Sequence, residues 1–448
     1  MAKPRTLPLH CVEEGADISR LLSKIEAKWA AGHAFTGQRG RLLALPGEGG
    51  AIAGYLFGMG VAEDRPALVT GLAAAALEPG SYRLEGNFGD PTLAALGFRL
   101  GAYRFDRYRK PKEAPVLVDP AGADAAEVTR LADAAYLARD LVNTPANDLG
   151  PDAFERAIRA FGTRHGMKVG AIVGDDLKEQ NFPMIHAVGR AAAEAPRLMD
   201  LAWGKAGDPK VTLVGKGVTF DTGGLDIKSS SSMLLMKKDM GGAANVLGLA
   251  HAIVDARLKV RLRVLIPVVE NAISAASFRP GDVLRSRNGM TVEIGNTDAE
   301  GRLILADALA LADEESPELI LDMATLTGAA RVALGPDLPP LYATDDALAA
   351  ALMEAGRRSD DPLWRMPLWA PYDNLLSSRI ADVNHISSGG FAGSITAALF
   401  LKRFVANARA WVHLDIFAWA PEARAGRPFG GTDQGIRAAY GVLKQRYG

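Results

Sequence analysis

In Asn296-Thr-Asp298-Ala-Glu300-Gly-Arg302, three ionisable side chains occupy every second position. If the backbone stays extended there, Asp298, Glu300 and Arg302 project from one side, because side chains along a strand alternate with period two. Two carboxylates and a guanidinium converging after a strand make a site for a hard metal ion or an anion; the alternative is a surface Asp-x-Glu beside a solvated arginine. Further candidates lie upstream. Lys216 and Asp221 flank the turn Val214-Gly-Lys-Gly-Val-Thr-Phe-Asp-Thr-Gly-Gly224, whose glycine density suits a backbone that must approach something closely. Asp239 precedes Met240-Gly-Gly-Ala-Ala244, where its alternative role is a plain helix N-cap. Lys228 lies past Gly224 in a loop that continues from Ser229 to Ser232; unpaired, it is a solvated lysine.

These residues need elements to position them. Asn288-Gly289 sits between the alternating runs Val283-Leu-Arg-Ser-Arg and Met290-Thr-Val-Glu-Ile, a strong local hairpin signal. Its returning strand runs into Asn296. A helix beginning near Gly301, with Leu303, Ala306, Leu309 and Ala310 apolar, anchors the far side of the triplet. From about residue 150 onward strand and helix signals alternate. Val211-Thr-Leu-Val-Gly215, Leu262 to Val269, Leu319 to Met323 and Trp411 to Ile416 read as buried strands; Ala243 to Leu258 and Ile395 to Val405 read as helices. This interleaving predicts an α/β sheet with helices on both faces, and such sheets place their sites at the carboxyl ends of strands. Upstream, Ala125 to Val142 reads as one helix, which Asn143-Thr-Pro145 ends because the residue before proline disfavours helical geometry. It reads as a connector between two domains. The preceding segment holds short apolar runs separated by glycines and no motif that carries chemistry.

Composition narrows the classes. The chain has 448 residues, long enough for two or three domains with cores of their own. With 48% apolar and 23% charged residues it reads as an ordinary soluble globular protein. Lys and Arg number 51 against 52 Asp and Glu, so the overall charge offers no argument for a nucleic-acid binder. The single cysteine, Cys11, excludes an intrachain disulfide framework and a cysteine zinc cage, and fits a reducing compartment. Met1 to Arg20 carries Glu13, Glu14 and Asp17 without an apolar core of signal-peptide length, and no apolar stretch of about 18 residues predicts a membrane span. A cytoplasmic location is expected.

Common catalytic motifs are missing. Gly215-Lys-Gly217 follows a strand, but Phe220 stands where a dinucleotide fingerprint has its third glycine or alanine. No phosphate-binding loop, His-Glu-x-x-His or Gly-x-Ser-x-Gly occurs, and the seven histidines are scattered singly.

Taken together, Val214 to Gly224, Lys237-Lys-Asp-Met-Gly-Gly-Ala-Ala244 and Asn296-Thr-Asp-Ala-Glu-Gly-Arg-Leu303 closely resemble the signature segments of the leucyl aminopeptidase (cytosol aminopeptidase) family. Ala138 to Asn147 resembles the end of that family's linker helix, and Ala324-Thr-Leu-Thr-Gly328 and Gly393 to Ala398 resemble its downstream elements. The likeness spans residues 138–448. It implies a two-domain α/β protein: a smaller N-terminal α/β domain at 1–124, a linker helix at 125–148, and a catalytic domain at 149–448 with a mixed sheet flanked by helices.

By the same resemblance, the chain is a metallo-exopeptidase that hydrolyses the N-terminal residue, leucine-like by preference, from peptides. Asp221 and Glu300 bridge two divalent ions, zinc or manganese. Lys216 and Asp239 complete the tighter site, and Asp298 completes the more exchangeable one. Two metals about 3.5–4 Å apart would activate a bridging water for attack on the first peptide bond. Asp239 and one metal would take the α-amine. Lys228 would polarise the carbonyl, and Arg302 would hold a bicarbonate as general base. Met236, Thr325 and Leu326 match positions lining the pocket for the first side chain. The resemblance also implies a homo-hexamer. Ser229 to Ser232 and the segment from Leu414 to Gly431 depart from the family's usual wording where substrate loops are expected. Two other readings are a Cys-Gly-type dipeptidase and a DNA-binding architectural protein with secondary peptidase activity. The latter has one local candidate, the basic, aromatic-interleaved stretch Phe98 to Lys112. Its alternative is aromatics packed into the first domain with charges in solvent, and nucleic acid is not an expected partner.

Overall fold

The structure, a computed structural model, describes residues 5–448. Of the Met1 to Arg20 segment considered above as an export signal, the first four residues lie outside the described ones. The chain forms two compact units. One comprises the chain up to Tyr136 with Arg358–Asp360 and Ala420–Gly430; the other comprises Leu137–Arg357, Asp361–Trp419 and Gly431–Gly448. The boundary falls within one long helix, Ala125–Asn143. Among the described residues no helix is long and apolar enough to cross a membrane.

The first unit contains a five-stranded sheet of β1 (Thr6–Glu13), β2 (Leu42–Pro46), β3 (Ile52–Gly60), β4 (Ser81–Gly86) and β5 (Val116–Val118) in the order β2-β3-β1-β4-β5. Only β2 runs antiparallel to its neighbour. The glycine-punctuated run around Tyr55–Phe57 is the buried stretch of β3. In the basic stretch from Phe98 to Lys112, Phe98, Leu100 and Tyr103 are buried, the first two on the helix Pro91–Ala102, and Arg99 pairs with Asp119. Phe98 and Tyr103 thus serve this unit's own packing, while Phe105 is half-buried and Tyr108 is exposed.

In the second unit the alternation of strands and helices builds a mixed sheet. Its strands are β6 (Lys168–Val173), β7 (Arg197–Trp203), β8 (Lys210–Gly215), β9 (Gly217–Asp221), β10 (Arg261–Asn271), β13 (Leu319–Ala324), β14 (Pro340–Ala343), β15 (Trp364–Arg365) and β17 (Trp411–Asp415). The order is β15-β14-β17-β13-β8-β10-β7-β6, with β9 beside β10. Strands β17, β13, β8 and β10 are parallel, whereas β14, β7 and β6 run antiparallel to the strands they join. The hairpin expected at Asn288-Gly289 is present as β11 (Val283–Arg285) and β12 (Thr291–Glu293), with Gly289 at φ 91°, and β12 is extended by β16 (Val383–Asn384).

The parallel register brings the carboxyl ends of the central strands to one edge. Met323 is level with Gly215, and Asn271 with Asp221. The helix Gly241–Asp255 packs on this edge so closely that a Cβ at Gly215 would lie 2.5 Å from the Ala243 Cα, and one at Gly242 would lie 2.1 Å from the Met323 carbonyl oxygen. The glycines before and within this helix are therefore a packing requirement. The helices Gly301–Asp313 and Gly393–Lys402 contribute to an extensive apolar cluster through residues such as Leu303, Leu305, Leu399 and Phe400.

Candidate active site

The extended geometry expected for Asp298, Glu300 and Arg302 does not occur. Asn296 accepts from the Asp298 amide at 2.7 Å and opens a 3-10 turn, Thr297–Ala299, that leads directly into the helix at Gly301. A side-chain oxygen two residues ahead offers the Asp298 amide a local acceptor, which favours a turn over a strand. The turn is tied down by Thr297, whose hydroxyl donates to the Gly223 carbonyl at 2.6 Å. The three side chains consequently do not line one face of a strand, although Asp298 and Glu300 still converge. Asp298 is partly exposed, Glu300 is 1% exposed, and Arg302 is buried. Arg302 donates to the His385 carbonyl at 2.7 Å, while its Nε is buried without a hydrogen-bond partner among the described residues. Burial lowers the Arg302 guanidinium to about 10, against the pull of Asp415 and Glu300.

The metal-ligating expectation fares differently. Asp221, Asp298 and Glu300 each offer an oxygen within 4.8 Å of the others. Asp221 arrives on the last residue of β9, where Asn271 on β10 donates to its Oδ1 at 2.8 Å and the Gly223 amide donates at 2.9 Å. Asp239 joins through Lys216, whose Nζ lies 2.7 Å from Asp239 and 3.0 Å from Glu300. It lies inside the 3-10 turn Met236–Met240 and does not cap the following helix, so the plain N-cap role is absent. Its side chain accepts instead from the Thr325 hydroxyl at 2.8 Å. Lys228 reaches from its loop to Asp221 at 2.9 Å and also pairs with Asp298.

Four carboxylates thus meet two lysines in a mostly buried cluster. The charge imbalance shows in their acidities. Burial, reinforced by Asp221, raises Glu300 to about 8 and Asp298 to about 6. Burial disfavours the Lys216 and Lys228 ammoniums, yet the surrounding carboxylates raise both above the ordinary lysine value. Burial likewise disfavours the Asp239 carboxylate, but Lys216 and Lys238 bring its pKa below the ordinary value. Both Glu300 oxygens are buried without an aligned hydrogen bond from any described residue. A buried carboxylate without donors is costly unless cations neutralise it. The donor set therefore fits divalent ions: oxygens from Asp221, Asp239, Asp298 and Glu300, and the Lys216 amine once deprotonated.

A cavity of about 400 Å³ opens over this cluster. Met236, Thr325 and Leu326, expected from the sequence to contact substrate, line it. The structure adds Lys238, Arg331 and Phe417, which no motif singled out. Lys238 is hidden in the sequence beside a signature aspartate, and Arg331 and Phe417 belong to distant segments. Burial lowers the Lys238 amine to about 8 despite Asp239 nearby. Among the described residues the carboxylate group comprises Asp221, Asp298 and Glu300, with no histidine in it.

Comparison with known proteins is consistent along the chain. Residues 136–440 match the catalytic domain of the cytosol aminopeptidase family, and residues 10–118 match the M17 aminopeptidase N-terminal domain. A probable cytosol aminopeptidase of Roseiflexus castenholzii is 41% identical over 375 residues, covering 79% of this chain and 76% of that protein. One from Methylorubrum populi is 37% identical over 422 residues, covering 88% and 84%. Among solved structures, the cytosol aminopeptidase from Coxiella burnetii superposes with a TM-score of 0.93 at 46% identity, over 100% of this chain and 99% of that one. The bottromycin maturation enzyme BotP in complex with Mn gives 0.90 at 35% identity, over 98% and 99%.

Proposed function

The chain belongs to the cytosol aminopeptidase family and is a metal-dependent aminopeptidase; we propose that it uses two divalent ions, manganese or zinc, to remove a leucine-like N-terminal residue from peptides. The observation that carries this reading is the gathering of Asp221, Asp239, Asp298 and Glu300 beneath one cavity, with both Glu300 oxygens buried and lacking aligned donors. Asp221 and Glu300 would bridge the ions; Lys216 and Asp239 would complete one site and Asp298 the other. When bound, the ions supply Lewis acidity, activating a bridging water and polarising the scissile carbonyl.

The remaining work falls to side chains. Asp239, oriented by Thr325, accepts from the substrate's free α-amine, which restricts cleavage to the first peptide bond. Lys228 reaches the cavity from its loop and donates to the carbonyl oxygen as negative charge develops there. Arg302, with an unused Nε, would hold a bicarbonate that accepts the water's proton. Met236 and Leu326 present apolar surface to the departing residue's side chain.

The test is hydrolysis of Leu-p-nitroanilide by chelator-stripped protein resupplied with manganese or zinc, beside Asp298→Ala and Glu300→Ala. Activity restored by metal in the parent and lost in both variants supports the reading; a folded, metal-loaded parent inactive on this substrate and on a peptide panel overturns it. The same reading takes the protein as a cytoplasmic homo-hexamer, and a monomer mass by static light scattering would contradict that assembly.

A further inference from the structure

We propose that Lys238 and Arg331, gathered on the ring of Phe417, form a carboxylate-binding subsite within the substrate cavity. The proposal rests on the aminopeptidase reading and deepens it by naming an anionic group on the substrate. The Lys238 Nζ lies 5.0 Å from the centre of the Phe417 ring, and the Arg331 guanidinium carbon lies 4.8 Å from the same centre. All three line the cavity. Lys238 is 2% exposed, yet neither it nor Arg331 has an ion-pair or side-chain hydrogen-bond partner among the described residues.

The other cations of the cavity are committed. Lys216 is held by Asp239 and Glu300, and Lys228 by Asp221 and Asp298. The nearby acids are committed as well. Asp239 serves Lys216 and Thr325; Asp415 accepts from the Leu326 amide at 3.0 Å, the Thr327 amide at 3.1 Å and the Thr327 hydroxyl at 2.6 Å. Two like charges on one ring repel each other, and the nearby Asp239 and Asp415, which act on Lys238 without a direct ion pair, are engaged elsewhere; a carboxylate reaching both cations would relieve the repulsion while accepting charge-assisted hydrogen bonds. The ring's quadrupole keeps the cations in place.

The backbone that aims the ring is itself constrained. Ala418 sits at φ 56°, a left-handed conformation that costs an L-residue energy, and Gln434 Oε1 accepts from the Phe417 amide at 2.9 Å and the Ala418 amide at 2.8 Å. Gln434 in turn donates to the Pro336 carbonyl at 2.8 Å. This arrangement fixes a turn whose most direct consequence is the position of Phe417.

The carboxylate has two possible sources: an acidic side chain on the N-terminal residue, or the free C-terminus of a short peptide. Both are distinguished by kcat/KM of the manganese-loaded full chain on Leu-Gly against Leu-Gly-amide, and on Glu-Gly-amide against Gln-Gly-amide. A charge-assisted contact predicts a preference of roughly tenfold or more in one pair, which identifies the source. The same ratios are then measured for Lys238→Met and for Arg331→Gln, the latter at an exposed position where folding is not at issue. Collapse of the preference in both supports the subsite. Absence of either preference in the parent, or a preference that survives in either variant, overturns it. Failure of the metal-loaded parent to cleave any of the four peptides overturns the aminopeptidase reading and this proposal with it.

Discussion

The Lys216 ammonium lies 3.0 Å from Oε1 of Glu300, a carboxylate with no aligned hydrogen-bond donor at either oxygen. Their approach depends on the residue next to Glu300. A Cβ at Gly301 would stand 2.4 Å from Lys216 Cε and 2.7 Å from its Nζ. The signature glycine therefore makes room for the lysine that completes the carboxylate cluster.

Gly301→Ala should displace the Lys216 amine while leaving the fold intact, since a side chain can yield where backbone cannot. Misplacing a site group by about 1 Å costs on the order of 10²-fold in rate. The expected result is that loss in kcat/KM, with reduced metal content and a near-normal circular dichroism spectrum. Activity equal to the parent's would show that the close approach is dispensable.

Metal uptake should release protons and tighten as pH rises. In the metal-free protein, neighbouring carboxylates raise the Lys216 pKa despite burial, burial and Asp221 raise Glu300 to about 8, and the same causes raise Asp298 to about 6. Each must lose its proton to act as a ligand, so hydrogen ions compete with metal. Manganese affinity measured by competition with a chelating dye should increase steadily from pH 6 to pH 8. A flat profile would mean that these protons are not displaced.

Lys228→Met should separate metal binding from turnover. Lys228 pairs with Asp221 and Asp298 but matches no ligand position of the resemblance. Loss of a charge-stabilising donor typically lowers kcat by about 10²–10³-fold. Metal content measured by mass spectrometry should remain at the parent's level. A variant with parental kcat would remove Lys228 from the chemistry.

His385 should make the protein acid-sensitive. Its Nε2 lies 2.9 Å from the Asn296 carbonyl oxygen, and its Nδ1 lies 3.2 Å from both the Gly295 amide, which donates to it, and the Glu293 carbonyl oxygen. Burial and then Arg302 depress its pKa to about 3. Below an unfolded value near 6.5 the unfolded chain takes up a proton that the folded one refuses, so this stability is present above about 6.5 and lost as pH falls toward about 3. Urea unfolding at pH 7 and pH 5 should show a drop that is smaller in His385→Gln. An equal drop in both would place the acid sensitivity elsewhere.

The sequence by itself determined the elements and the chemistry that lies within short segments. The alternating strands and helices and the Asn288-Gly289 hairpin were legible because apolar period and turn chemistry are local properties, and Lys216, Asp221, Asp239, Asp298 and Glu300 stood out as candidates whose ligand roles came from the family resemblance. Local reasoning also had a local failure. The alternation through Asp298, Glu300 and Arg302 suggested one face of a strand, whereas Asn296 turns the backbone into a 3-10 turn and helix, from which Asp298 and Glu300 still converge. Only the tertiary structure placed His385 beneath Arg302, and brought Lys238, Arg331 and Phe417 to one cavity wall. Those residues come from a 3-10 turn, a helix and two loops, and their meeting is decided by the parallel register of the sheet and the packing of helices on its edge. A single chain carries no local signal for such contacts, since each partner alone reads as an ordinary lysine, arginine, histidine or phenylalanine.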